Sequence, residues 1–99
     1  MGLTEKQRKH VRRLAHPLRP LVMLGQAGLT DAVVQELERA LEDHEIVKVS
    51  ARLGERAVRD AAFEELARRT RSLMVQRVGH VGVFYRRSSG LAKVLLPDD

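Results

Sequence analysis

Lys6, Lys9, Arg12 and Arg13, followed along the chain by Gly25-Gln26-Ala27-Gly28, are the groups in this sequence best suited to chemistry. That chemistry is the holding of an anion. On a helix, Lys6, Lys9 and Arg13 follow a three-then-four spacing and share one face, while Arg8 and Arg12 line the neighbouring one. Gly-x-x-Gly stands between an apolar run and an amphipathic one, where a strand turns into a helix. A backbone without Cβ atoms there lets a phosphate come close, and the free N–H groups and positive dipole end of the helix favour it. A turn that needs positive φ accounts for a glycine equally well. Both readings stand: the turn requires at least one glycine, and the second is best explained by an approaching phosphate backbone.

Other reactive groupings are absent. The four histidines, His10, His16, His44 and His80, have no metal-ligand spacing on a shared helix face, and there is no cysteine to support them. Ser50, Ser72, Ser88 and Ser89 lack the strand-elbow-helix setting of a nucleophile. Glu64 and Glu65 are adjacent on a helix and point apart. Neither glycine-rich nucleotide-binding fingerprint occurs. The chain reads as non-catalytic, with no metal, cofactor or small-molecule substrate expected.

Charge distribution sharpens this. The 99 residues carry a net charge of +5, unevenly placed. Residues 1–20 hold six Lys/Arg against one acid, and residues 21–45 hold one Arg against six acids. Such polarity steers a polyanion to one side. The length suits one domain that buries roughly two-thirds of its unfolded surface. Without cysteine it forms no disulfide. No apolar run is long enough to span a bilayer, the N-terminus is charged, and Lys6 stands where a myristoylation signal wants Ser or Thr. A cytoplasmic protein without membrane attachment is expected.

The elements that position these groups follow from pattern. Thr4 and Gln7 form a capping box for a helix to about Ala15, whose narrow apolar stripe (Val11, Leu14, Ala15) can dock it onto a domain. "HPLRP" breaks the helix. Leu21–Leu24 is a wholly apolar strand, expected to be buried. Thr30 or Asp31 caps a second helix with Val33, Val34, Leu37, Ala40 and Leu41 inward. Ile46–Ala51 is a second strand. Gly54 opens a third helix to about Thr70, with Val58, Ala61, Ala62, Leu66 and Ala67 as its core face. "SLMVQRV" and "VGVFYRR" form a hairpin about Gly79-His80, and Phe84 and Tyr85 point to opposite faces as core residues. An extended tail follows; residues 1–3 and 97–99 are expected to be loose. The predicted fold is α-β-α-β-α-β-β, an α/β (α+β) two-layer sandwich with a mixed four-stranded sheet, as one domain over 1–99.

"LAHPLRPLVMLGQAGLTDAVVQELERALEDHEIVKV", with "VQRVGHVGVFYR" and the "VLLP" tail, resembles the CRM domain (chloroplast RNA splicing and ribosome maturation), and most closely its free-standing bacterial YhbY-like form. The resemblance covers nearly the whole chain. It implies a fold like the C-terminal domain of translation initiation factor three, with sheet order 1-2-4-3, strand 4 antiparallel, and the two crossover helices on one face. It implies RNA binding, in bacteria to precursors of the large ribosomal subunit. The family's RNA surface corresponds here to Lys6, Lys9, Arg12 and Arg13 and to the loop Gly25, Gln26, Ala27 and Gly28. Many members carry Lys where this chain has Gln26, so a side-chain contact to phosphate is missing there and backbone donors remain.

With few aromatic residues, there is no stacking platform; binding would be directed at RNA backbone and shape. An adaptor for ribosomal proteins, acting through the acidic second helix, is the alternative. A DNA-reading module has little support, since Gln7 is the first helix's only side chain of the base-reading amide type.

Overall fold

The computed structural model describes residues 2–98. Seven elements follow in order: α1 (Glu5–Ala15), β1 (Pro20–Leu24), α2 (Asp31–His44), β2 (Ile46–Ala51), α3 (Arg56–Thr70), β3 (Leu73–Val78) and β4 (Val81–Tyr85). The four strands form one sheet in the order β1-β2-β4-β3. β1 runs parallel to β2, and β4 is antiparallel to both of its neighbours. The order has a simple cause. α3 carries the chain past the edge of β2 to β3, and the tight turn at Gly79-His80 folds β4 back into the gap. Gly79 has φ +59°, the left-handed region that glycine enters without cost.

The main core lies between the sheet and the two crossover helices. Val22, Leu24, Val47, Val49 and Ala51 from one sheet face meet Leu37 and Leu41 of α2 and Phe63 and Leu66 of α3. α1 lies on the other sheet face, where Val11 and Ala15 pack against Ile46, Val75, Val83 and Tyr85. Sheet and crossover helices thus make the expected two layers, and α1 docks on the outside by Val11 and Ala15, while Leu14 of the expected stripe stays 41% exposed. Phe84 and Tyr85 serve the two opposite cores, as the period-two pattern requires.

Two further expectations about burial are corrected. β1 is not buried on both faces. It is an edge strand, and α1 packs chiefly on the other three strands, so Leu21 and Met23 remain 54% and 55% exposed while Val22 and Leu24 are buried. The core face of α3 is rotated from the predicted one: Phe63, Leu66 and Thr70 are buried, whereas Val58 is 54% exposed and Ala61 also faces solvent. Ring size decides this. Phe63 meets Phe84 edge-on with centroids 5.7 Å apart, an attractive aromatic geometry that outweighs burial of Val58. Gly82 makes room for the pair, since a Cβ there would stand 3.0 Å from the Phe84 ring and 3.4 Å from Phe63.

α3 begins at Arg56, two residues later than Gly54 suggests, with Glu55 at the N-cap making no side-chain cap bond. The capping box on α1 is present in both halves, with Gln7 N–H donating to Thr4 Oγ1 at 3.1 Å and Thr4 N–H to Gln7 Oε1 at 3.0 Å. The ends are tied more firmly than expected. Leu3 packs against the α1 core, and Gln7 Nε2 donates to the Pro97 carbonyl at 2.9 Å. The rest of that expectation includes Met1 and Asp99, which lie outside the described residues.

Glu45 closes the fold. It follows α2 with φ +67° and is fully buried. Its Oε2 accepts from the N–H and hydroxyl of Ser88 at 2.7 and 2.8 Å, and its Oε1 from the N–H groups of Lys93 and Val94 at 3.0 and 2.8 Å. Burial alone would raise the pKa of this carboxyl. The four donors more than offset that and hold it below the usual carboxylate range.

Candidate nucleic-acid interface

α1 presents its charge as the spacing requires. With Val11 and Ala15 against the sheet, Lys6, Lys9 and Arg13 project outward, exposed and without an ion pair among the described residues. Arg12 is only partly exposed and has a carboxylate partner, Glu5, at 3.6 Å. Arg8, Arg12 and His16 recur at four-residue steps along the flank that faces the middle of the sheet, and His16 lines a groove there.

The Gly25–Gly28 segment is a tight turn. Gly28 N–H donates to the Gly25 carbonyl at 2.9 Å, and Gly28 has φ +76°, so glycine is required at that position by the backbone itself. Gly25 is different. Its φ is not in the left-handed region, and an added Cβ would meet nothing within 4 Å. Neither conformation nor packing demands a glycine at 25. Gln26 and Ala27 are exposed, and their N–H groups donate no hydrogen bond among the described residues. Thr30, rather than Asp31, is the N-cap of α2 and accepts from Val33 N–H at 3.2 Å. Asp31 puts a carboxylate in the first turn and pairs with Arg69 at 2.8 Å. The helix end is thus partly answered by its own acid, and the loop N–H groups are the freer anion donors.

Helix cations and loop share no hydrogen bond or ion pair among the described residues. The sheet face lies between them. Two cations there were not singled out in the sequence. Lys48, the one charge in the strand "IVKVSA", is half-buried on the α1 side of β2, with Nζ donating to the His16 carbonyl at 3.2 Å. Its lone position in an apolar strand was the signal. Arg52 is exposed and its N–H donates to the Leu24 carbonyl at 2.8 Å, which sets it beside Gly25. No sequence pattern marks it; the parallel β1–β2 register brings it there.

The acids of α2 are largely engaged within the fold. Arg86 meets Glu38 and Glu42 at 2.9 and 3.0 Å and donates to the Thr70 carbonyl at 2.8 Å. Glu42 also accepts from the hydroxyl and N–H of Ser89, which with Arg86 hold its pKa below the usual range. Among the described residues no cluster of His, Asp and Glu could hold a metal ion, and no helix is long and apolar enough to cross a membrane.

Residues 3–86 match the model of the CRS1/YhbY (CRM) domain. The chain belongs to this family. A Pseudomonas aeruginosa CRM relative, named a probable RNA-binding protein, is 42% identical over 88 residues, 89% of this chain and 85% of that one. A Haemophilus influenzae relative, named RNA-binding protein, is 41% identical over 95 residues, covering 96% of this chain and 95% of that one. A solution structure from Staphylococcus aureus has the same fold, with a TM-score of 0.82 at 31% identity over 97% of this CRM chain and 100% of that one. The implied family, sheet order and placement of the crossover helices are all met.

Proposed function

We propose that this CRM domain is a non-catalytic binder of structured ribosomal RNA that assists large-subunit assembly in the cytoplasm. The carrying observation is the outward row Lys6, Lys9 and Arg13, cations with no carboxylate partner among the described residues, in a chain whose relatives are named as RNA-binding. These side chains take phosphates, with Arg12 joining once it leaves Glu5. The exposed N–H groups of Gln26 and Ala27 receive a further phosphate across Gly25, where nothing obstructs the approach. Such contacts position RNA by its backbone rather than by sequence. The adaptor reading is weaker, because Asp31, Glu38 and Glu42 of the acidic helix are already bonded within the fold.

The test is charge reversal. Lys6→Glu, Lys9→Glu and Arg13→Glu together touch no core residue, so the triple variant should fold. Fluorescence anisotropy with a structured fragment of large-subunit ribosomal RNA should show the log-log salt slope becoming shallower by about 0.7–0.9 for each phosphate no longer neutralised. An unchanged affinity and slope in the folded triple variant would refute the mechanism.

A further inference from the structure

The half of the sheet face that α1 leaves open has no role in the phosphate surface just described. The register sets Met23, Ser50, Val81 and Val78 side by side across all four strands, with Lys48, Val83 and Gln76 in the next row. Met23 and Val78 are 55% and 65% exposed, unusual for large apolar side chains on a sheet face. A groove of about 470 Å³ over the β2, β3 and β4 part of these rows is lined by His16, Pro20, Lys48, Gln76, Val78, Val81 and Val83. Met23 and Ser50 line an adjoining cleft at the β1 edge that shares Pro20 with it. No carboxylate is among the groove's lining residues, and the charge that is present, Lys48, has no acidic partner among the described residues. At one end the shelf runs along β1 into Gly25; along one side it meets the Arg8–Arg12–His16 flank of α1.

We propose that this aliphatic shelf receives the bases of an unpaired RNA segment whose phosphates lie on the Gly25–Gly28 loop and the α1 flank. The inference rests on the RNA-binding reading above and specifies which part of the RNA it takes. Single-stranded nucleotides can turn their bases out of the stack, and each base then presents an apolar face and a polar edge. Valine and methionine side chains bury the face without needing aromatic rings, through area removed from water and dispersion. Gln76 lies in the row next to Val78 with its side-chain amide unbonded among the described residues, so both a donor and an acceptor are free for a base edge. Four strands span about 14 Å, room for about three splayed bases. Lys48 in the groove, Arg8 and Arg12 along its side and the continuity with the loop favour this occupant over a protein segment, with Glu36 the carboxylate that stands beside Met23 at the β1 edge.

The test compares two RNAs, a fully paired hairpin and the same hairpin with a short single-stranded extension. Wild type should bind the extended RNA more tightly. The double variant Met23→Ser with Val78→Ser changes no charge. It should lose about tenfold on the extended RNA, the scale of two partly buried apolar side chains, and keep both its hairpin affinity and its salt slope. In wild type, 4-thiouridine placed in the extension should photocross-link to the strands carrying Met23 and Val78. The shelf is ruled out if wild type shows no preference for the extension, if the folded double variant binds it normally, if both RNAs are weakened alike, or if no cross-link reaches β1 or β3. Hairpin binding that survives any of these leaves the RNA reading intact. Failure of wild type to bind either RNA removes both readings and points to a protein on the shelf.

Discussion

Replacing Glu45 by Gln should unfold this domain far more readily than its one-atom change suggests. Each carboxylate oxygen accepts two hydrogen bonds, and three of the four donors are backbone N–H groups that cannot reverse their polarity. Wherever the new amide nitrogen sits, it opposes at least one N–H. At the Oε1 position it opposes two; at Oε2 it opposes one, with a hydroxyl that can turn to accept. One or two charge-assisted bonds are lost and the rest become neutral. At about 1.5–3 kcal/mol for each bond to a charged group, the cost is about 3–5 kcal/mol. That is a large share of the roughly 5–15 kcal/mol typical of a whole domain. Urea unfolding at neutral pH measures it directly, and amide exchange at Lys93 and Val94 should accelerate in the variant. The acid limb gives an independent reading. The carboxyl pKa is lowered on folding, so its contribution is fully present above the unfolded value of about 4.3 and is lost as pH falls through the lower folded value. Wild type should therefore lose stability more steeply than Glu45→Gln below about pH 4.3. A variant within about 1 kcal/mol of wild type, or with the same acid slope, would refute the latch.

The remaining predictions are brief. Gly28→Ala should cost about 1 kcal/mol through its left-handed backbone, whereas Gly25→Ala should leave urea stability unchanged and weaken RNA binding; equal effects of the two on stability would sink the distinction. Gly82→Val should destabilise by about 1–3 kcal/mol, because the added carbons press on the Phe63–Phe84 pair, and thermal unfolding measures this. Phe63→Leu should recover part of that loss in the double variant; strict additivity would mean the rings are not the obstacle.

Much of the fold is written in local pattern. The capping box, the second helix with its inward face, the bounds of β2 and the Gly79-His80 turn each follow from a short run of residues and survive folding unchanged. What pattern cannot supply is neighbourhood. Leu21–Leu24 reads as a buried strand because all four side chains are apolar, but whether its second face is covered depends on where α1 ends. Val58 and Ala61 fit a helical stripe as well as Phe63 does, and only the ring of Phe84 across the sheet decides between them. The site divides likewise. The outward row of α1 cations is a property of one helix and is legible. Arg52 beside Gly25 exists only through strand register, and Glu45 passes in sequence for one more acid of an acidic helix.

The bond from Gln7 to the Pro97 carbonyl joins residues 90 apart in sequence and brings the start of α1 beside the end of the described tail. They meet by Tyr85, at the end of the sheet away from the Gly25 turn. Chain entering before Thr4 and chain leaving after Pro97 therefore emerge at one point. A domain built this way is a bead with a single eyelet. Copies can be threaded in tandem on short linkers, or one copy inserted into the loop of a host, without any connecting chain crossing the α1 cations or the open sheet. Joining the ends and cutting the Gly79-His80 turn should give a circular permutant that keeps the α1 cations and the Gly25–Gly28 loop.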